Sequence, residues 1–219
     1  MRYPNAAKGI KKIYLAEILG ILALVLAIVI AIMVAGNQVD TSISGEVAAL
    51  ALQAANVGTP FVILGVAMML LMLVSYFMNL SGIINASKDE EGFKRALWAL
   101  LASIAFGVVA AILENSNAKV ANWLKVPSTL FELVVTIYVL EGIGNLARNL
   151  GKNDIAELSK QCRTWMMCAL VLSAAAEVLV AVQAAESTFK TTSGIAASLL
   201  GIVAYVVYLR VLNKARLMQ

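Results

Sequence analysis

The chain has no histidine in 219 residues, only two cysteines and three prolines, and just 14% of its side chains are charged. Without histidine it lacks the commonest metal ligand and the usual general base near neutral pH. Membrane enzymes built on histidine clusters are therefore excluded, and a serine or cysteine nucleophile has no customary partner. Cys162 and Cys168 stand six apart, which forms neither a CxxC redox pair nor a zinc site. No phosphate-cradling glycine loop occurs. The chain thus reads as a non-enzyme that uses no cofactor and no metal. Scarce charge also leaves no soluble domain of useful size, because the charged residues fall in short clusters between apolar runs.

What the chain has in quantity is apolar side chain, 61% of residues, with a mean hydropathy of +0.87. Soluble domains hold roughly 45–50%, so the expectation is an all-α, polytopic membrane helix bundle in the cell membrane, with residues 1–219 forming a single integral membrane domain. Six stretches are candidates to span, at residues 13–35, 61–86, 94–113, 128–148, 164–185 and 194–212. Each is close to the ~20 residues that a helix rising 1.5 Å per residue needs to cross a ~30 Å hydrocarbon core. The first is too long for the ~7–15-residue apolar region of a cleaved signal. Residues 1–12 read as a basic arm ahead of it. Between the first two spans, residues 46–57 read as a short external helix, with Val47, Leu50, Ala51, Ala54 and Val57 on one face.

The bases fix the orientation. Fourteen of the seventeen fall on one side, at the two termini, in the loops after the second and fourth spans or at the adjoining span ends, and only Lys119, Lys125 and Lys190 lie on the other side. By the positive-inside rule, six helices with both termini cytoplasmic account for that bias. The net charge of +4 is spread over helix ends, not gathered on one face, so no nucleic-acid partner is expected. The lipid bilayer is the expected partner, with a second copy of the chain or another membrane protein as further candidates.

The helix ends repeat. Gly9-Ile10-Lys11-Lys12 is echoed by Gly92-Phe93-Lys94-Arg95, and the even-numbered spans end in Asn85-x-x-Lys88, Asn145-x-x-Arg148 and Asn213-x-x-Arg216. This predicts three tandem hairpins, with the asparagine amides bonding the last carbonyls of a helix or of a neighbour. In the first inner turn, 87–93, the acids are placed to favour the start of the following helix. Asp154-x-x-Glu157 resembles a capping box that opens the fifth helix.

Four acids fall within the spans, Glu17, Glu132, Glu141 and Glu177, and each needs a partner, a proton or a polar cavity. Glu17 is close enough to Lys12 to sit at the interface. In the outer half of the fourth helix Ser128, Glu132 and Thr136 form one stripe, and Ser173 and Glu177 are four apart on the fifth. Glu132 and Glu177 lie about 8 and 12 Å from the outer ends of their helices. If those helices pack as a hairpin, the two carboxyls share a proton or recruit a cation. Further in, Tyr138, Glu141, Asn145 and Arg148 form a second stripe, read as structural, in which Arg148 reaches back to neutralise Glu141. The functional expectation is a transporter, channel or substrate-binding membrane subunit for protons, cations or a small solute, with Glu132, Glu177, Ser128, Thr136 and Ser173 as its binding residues. The alternative is a non-catalytic membrane partner in assembly, regulation or immunity, for which short loops and small-residue faces suffice.

Overall fold

The computed structural model describes residues 3–36, 59–114, 118–181 and 187–218, and their side chains other than those of 34–36, 59–62, 118–119, 121–122, 125, 173–181 and 187–200. The predicted external helix at 46–57 lies outside the described residues. Six α-helices and no strand occur among them: α1 Pro4–Gly36, α2 Thr59–Ala86, α3 Glu91–Glu114, α4 Ala118–Asn149, α5 Asn153–Ala181 and α6 Ser187–Ala215. Within the described residues four stretches, Pro4–Met33, Ile63–Ala86, Glu91–Glu114 and Val126–Asn149, are long and apolar enough to cross a membrane. The all-helical class expected from composition is therefore present, with four helices long and apolar enough to cross a membrane.

Several helices extend past the apolar runs that announce them. The first begins at Pro4, not near residue 13, so most of the basic arm is its opening turns. Proline suits that first helical position because its missing N–H would have had no partner there. The fourth begins at Ala118 and carries Pro127 inside it, although the segment before residue 128 reads as an external loop. Pro127 cannot donate to the carbonyl of Trp123, and the helix continues through the lost bond.

The chain forms two compact units, one of Lys12–Leu80 and one of Met1–Lys11 with Ser81–Gln219. In the first, Ile13, Ala16, Ala23 and Ile30 are buried on one face of α1, at the three- and seven-residue steps of a helix seam. The Ser75 hydroxyl on α2 donates to the Ala16 carbonyl at 2.8 Å and lies 3.6 Å from where a Cβ on Gly20 would stand. Small residues on α1 thus admit a polar side chain to the backbone. On the rest of α2, large apolar side chains such as Leu70, Leu73 and Phe77 are about half exposed, a surface that hydrocarbon accommodates and water does not.

In the second unit α3 packs along α4, α4 along α5 and α5 along α6. Its core is concentrated at the base-rich helix ends, where Ile10, Ile83, Phe93, Leu140, Ile143, Leu146 and Leu212 are fully buried. Two glycine crossings bring backbones together there. A Cβ on Gly9 would lie 2.5 Å from the Gly82 carbonyl oxygen, and one on Gly92 would lie 2.6 Å from the Gly142 nitrogen. The repeated Gly-[Ile/Phe]-Lys-[Lys/Arg] motif is therefore placed where two helices touch. Phe93 follows Gly92 and seats its ring against Gly142, 2.7 Å from where a Cβ would be.

The inner turn 87–90 ties this unit together by a different route from the expected one. Asp89 Oδ2 accepts from the backbone N–H groups of Asn5 and Ala6, both at 2.8 Å, and its Oδ1 accepts from the Asn5 amide at 2.9 Å. Glu90 accepts from Asn145 Nδ2 on α4 at 2.9 Å. Only Glu91 serves its own helix, pairing with Arg95 one turn on. Three consecutive acids that looked like one helix start in fact engage α1, α4 and α3 in turn.

Candidate functional site

The fourth and fifth helices are joined by a tight turn that aims their polar faces into one space. Gly151 takes a left-handed φ of 71°, its N–H donates to the Arg148 carbonyl and the Lys152 N–H to the Ala147 carbonyl. That is a Schellman ending, which needs a residue tolerant of positive φ. The Lys152 carbonyl then accepts the first bonds of α5, from Ile155 and Ala156. Lys152 is thus the cap residue, and among the described residues no capping-box bond from Asp154 or Glu157 is seen. Asp154 still stands in the first turn, where the helix dipole favours an acid.

Beyond the turn the two helices enclose a half-open cavity of about 340 Å³. From α4 it is lined by Leu140, Glu141, Gly144 and Arg148, and from α5 by Asn153, Ala156, Glu157, Ser159, Lys160 and Arg163. These spacings of three and four put each set on a single helix face. Gly144 keeps the floor low, with Ser159 Oγ only 3.5 Å from where its Cβ would be. The buried Ser159 hydroxyl donates to the Leu140 carbonyl at 2.6 Å and closes the inner end.

The charged residues of the predicted inner stripe have different partners from those its spacing suggests. Glu141 is met by Arg95 of α3 at 3.4 Å and by Arg163 of α5 at 3.9 Å. Arg148 turns the other way, donating to Asn145 Oδ1 at 2.8 Å and to the Gly144 carbonyl at 3.4 Å. The reason is distance along the helix: residues three and four apart are neighbours, whereas Glu141 and Arg148 are two turns apart. The Asn-x-x-Arg pattern recurs at Asn213, whose Oδ1 accepts from Arg216 Nε at 2.8 Å. Those asparagines therefore hold the arginine one turn on. Tyr138 contributes its carbonyl, 3.3 Å from the Cβ position of Gly92.

The outer stripe is arranged differently. Ser128 and Ser103 exchange bonds across α3 and α4, each hydroxyl donating to the other's carbonyl at 3.1 Å. Thr136 donates to the Glu132 carbonyl at 3.4 Å within its own helix. The Glu132 residue is exposed. The side chains of Ser173 and Glu177 lie outside the described residues, on a part of α5 whose backbone is helical.

Cys162, one turn along α5 from the cavity floor, is fully buried with its sulfur 3.8 Å from the Ala204 carbonyl of α6. Burial pushes its thiol up to about 12, so it is not a thiolate at neutral pH and is no nucleophile.

The cavity combines a wall of two helices, charged groups of both signs and a hydrogen-bonded floor. It can hold a small polar molecule or a headgroup, and it presents no nucleophile paired with a base. No family model, curated protein or solved structure matches the chain.

Proposed function

We propose that this chain is a small multi-pass protein of the cell membrane, three tandem hairpins with both termini cytoplasmic, that handles a small solute as a transporter, a channel or the substrate-binding subunit of one. The observation that carries this reading is the cavity beside Glu141. A helix apolar enough to lie in hydrocarbon turns Glu141 and Arg148 toward a space of about 340 Å³. Ionisable groups within spanning segments are costly and mark solute or ion pathways more often than they mark packing. The inner cavity is preferred to the outer acids as the solute site, because Ser128 and Thr136 donate their hydroxyl hydrogens to carbonyl groups. Glu132 with Glu177 and Ser173 remains the proton- or cation-handling alternative in the outer half.

Two experiments test the proposal. Fusions of a cytoplasm-only fluorescent reporter to each end should both fluoresce, and signal from one end alone would remove the three-hairpin topology. Liposomes containing the purified protein should take up small solutes or protons at a rate that Glu141→Gln or Glu132→Gln changes. Flux no different from protein-free liposomes would end the transport reading.

A further inference from the structure

We infer that the cavity between α4 and α5 binds a phosphate group, either free or carried on a lipid, with Lys160 and Arg148 as its main charge partners. The inference rests on the solute-handling reading of this cavity and names its ligand chemistry. The argument begins with a count of charges. Arg148, Lys160 and Arg163 line the space against Glu141 and Glu157. Glu141 is already engaged by Arg95 from outside the cavity as well as by Arg163. Arg148 has only neutral partners, the Asn145 amide oxygen and the Gly144 carbonyl. The Lys160 side chain makes no hydrogen bond or ion pair within the described residues and is exposed at the cavity edge. Two cations therefore face one space without a carboxylate of their own.

Geometry adds to charge. Lys160 lies seven residues after Asn153, on the same face, and the first turn of α5 opens on the cavity through Asn153. Its N–H groups and dipole favour an anion at that point. Arg148 lines the opposite wall, and the N–H groups it does not give to Gly144 and Asn145 remain to donate to an anion. A carboxylate ligand has two oxygens, whereas a phosphate has enough to accept from Arg148 on one wall and from Lys160 on the other. The site is at the base-rich ends of the helices, the level at which the positive-inside rule puts lipid headgroups, and basic pockets between helices there take anionic headgroups.

The test is calorimetric titration of the full-length protein in a nonionic detergent at neutral pH and fixed ionic strength. One titrant is sodium phosphate, the other a soluble short-chain phosphatidate. Saturable binding of at least one is expected, weakened about tenfold or more by Lys160→Gln and by Arg148→Gln, since each removes a charge-assisted bond. Glu157→Gln should tighten it by removing a like charge from the wall. Binding of both titrants means that the free anion suffices, and binding of the phosphatidate alone means that the site is a headgroup site. Lys160 makes no side-chain hydrogen bond or ion pair within the described residues, so its variant should keep the wild-type thermal midpoint without titrant. The inference is overturned if neither titrant saturates below about 10 mM, or if Lys160→Gln binds both as wild type does. Because the readout is binding in detergent, it stands or falls separately from uptake: a liposome without flux would leave a phosphate site intact, and flux without phosphate binding would remove this inference alone.

Discussion

Asp89 caps a helix from far earlier in the chain, with its Oδ2 accepting from the N–H of Asn5, 84 residues before it, at 2.8 Å. A carboxylate in this position satisfies amides that have no helical partner and meets the positive end of the helix dipole. Asp89→Ala should lower stability by about 1–2 kcal/mol, the usual cost of losing such a cap. Asp89→Asn should cost less, because its amide oxygen still accepts. Thermal unfolding in detergent measures both.

The same residue sets an acid limit. Desolvation raises the Asp89 pKa, but the hydrogen bonds from Asn5 and Ala6 and the charge of Lys88 outweigh it, leaving the group below its ordinary 3.8. A carboxyl whose folded pKa is depressed contributes fully above the unfolded value and loses that contribution as pH falls through the folded one. The stability gap between wild type and Asp89→Ala should therefore hold from neutral pH down to about 3.8 and close only below it. A gap that closed near pH 6 would assign the effect to another group.

Gly92 has no room for a methyl group. Its Cβ would stand 2.6 Å from the Gly142 nitrogen and 2.7 Å from the Gly142 Cα, and backbone cannot swing aside as a side chain can. Gly92→Ala should destabilise by about 1–3 kcal/mol or more through forced separation of α3 and α4. Gly65 meets nothing within 4 Å, so Gly65→Ala serves as the tolerated control. Equal midpoints for the two variants would contradict the close crossing.

The hydroxyls of Ser103 and Ser128 form a reciprocal pair, so their effects should not add. Interhelical hydrogen bonds in membrane proteins couple by about 0.6 kcal/mol on average, up to ~1.7. Ser103→Ala, Ser128→Ala and the double variant should give a coupling in that range by denaturant unfolding. Additive effects would return Ser128 to the role of a free polar group.

How much of this was legible in the residues depends on the range of the interaction. The apolar runs and the placement of bases are summed over many residues, which is why composition pointed to helices able to span a membrane. The start of α1 was not legible, because its cap is Asp89, and no local pattern around Pro4 reports a partner so distant in sequence. The Gly-[Ile/Phe]-Lys-[Lys/Arg] repeat was visible at Gly9 and Gly92, yet its use, backbone contact with Gly82 and Gly142, needs the facing helix. Glu141 and Arg148, read from spacing as members of one stripe, both line the cavity. The partners of Glu141 were not legible, because Arg95 and Arg163 come from neighbouring helices. The cavity wall on α5 carried a readable signal, the three- and four-residue steps from Asn153 to Arg163, but only the turn at Gly151 brings that face opposite Arg148.

Cys162 should resist thiol reagents in the native protein. Its side chain is fully buried, and a thiol raised to about 12 has almost no reactive thiolate at neutral pH. In a Cys168→Ala background, maleimide should label Cys162 only after unfolding in SDS. Labelling of the folded protein would mean that α5 and α6 separate where the sulfur meets the Ala204 carbonyl.

The partner of Glu141 can be decided by double-mutant cycles. The side chains of Arg95 and Arg163 are 52% and 36% exposed and that of Glu141 is 24% exposed, so each pair should be worth no more than about 1 kcal/mol. Glu141→Gln should thus cost about that much at low salt, and less as the screening length shrinks toward ~10 Å at 0.1 M. Arg95→Gln and Glu141→Gln should couple, since removing either breaks the same 3.4 Å contact. Arg148→Gln and Glu141→Gln should be additive, because Arg148 donates to the Gly144 carbonyl and the Asn145 amide oxygen and not to Glu141. Coupling of Glu141 to Arg148, with none to Arg95, would reverse the assignment and remove Arg148 from the cations available to the cavity.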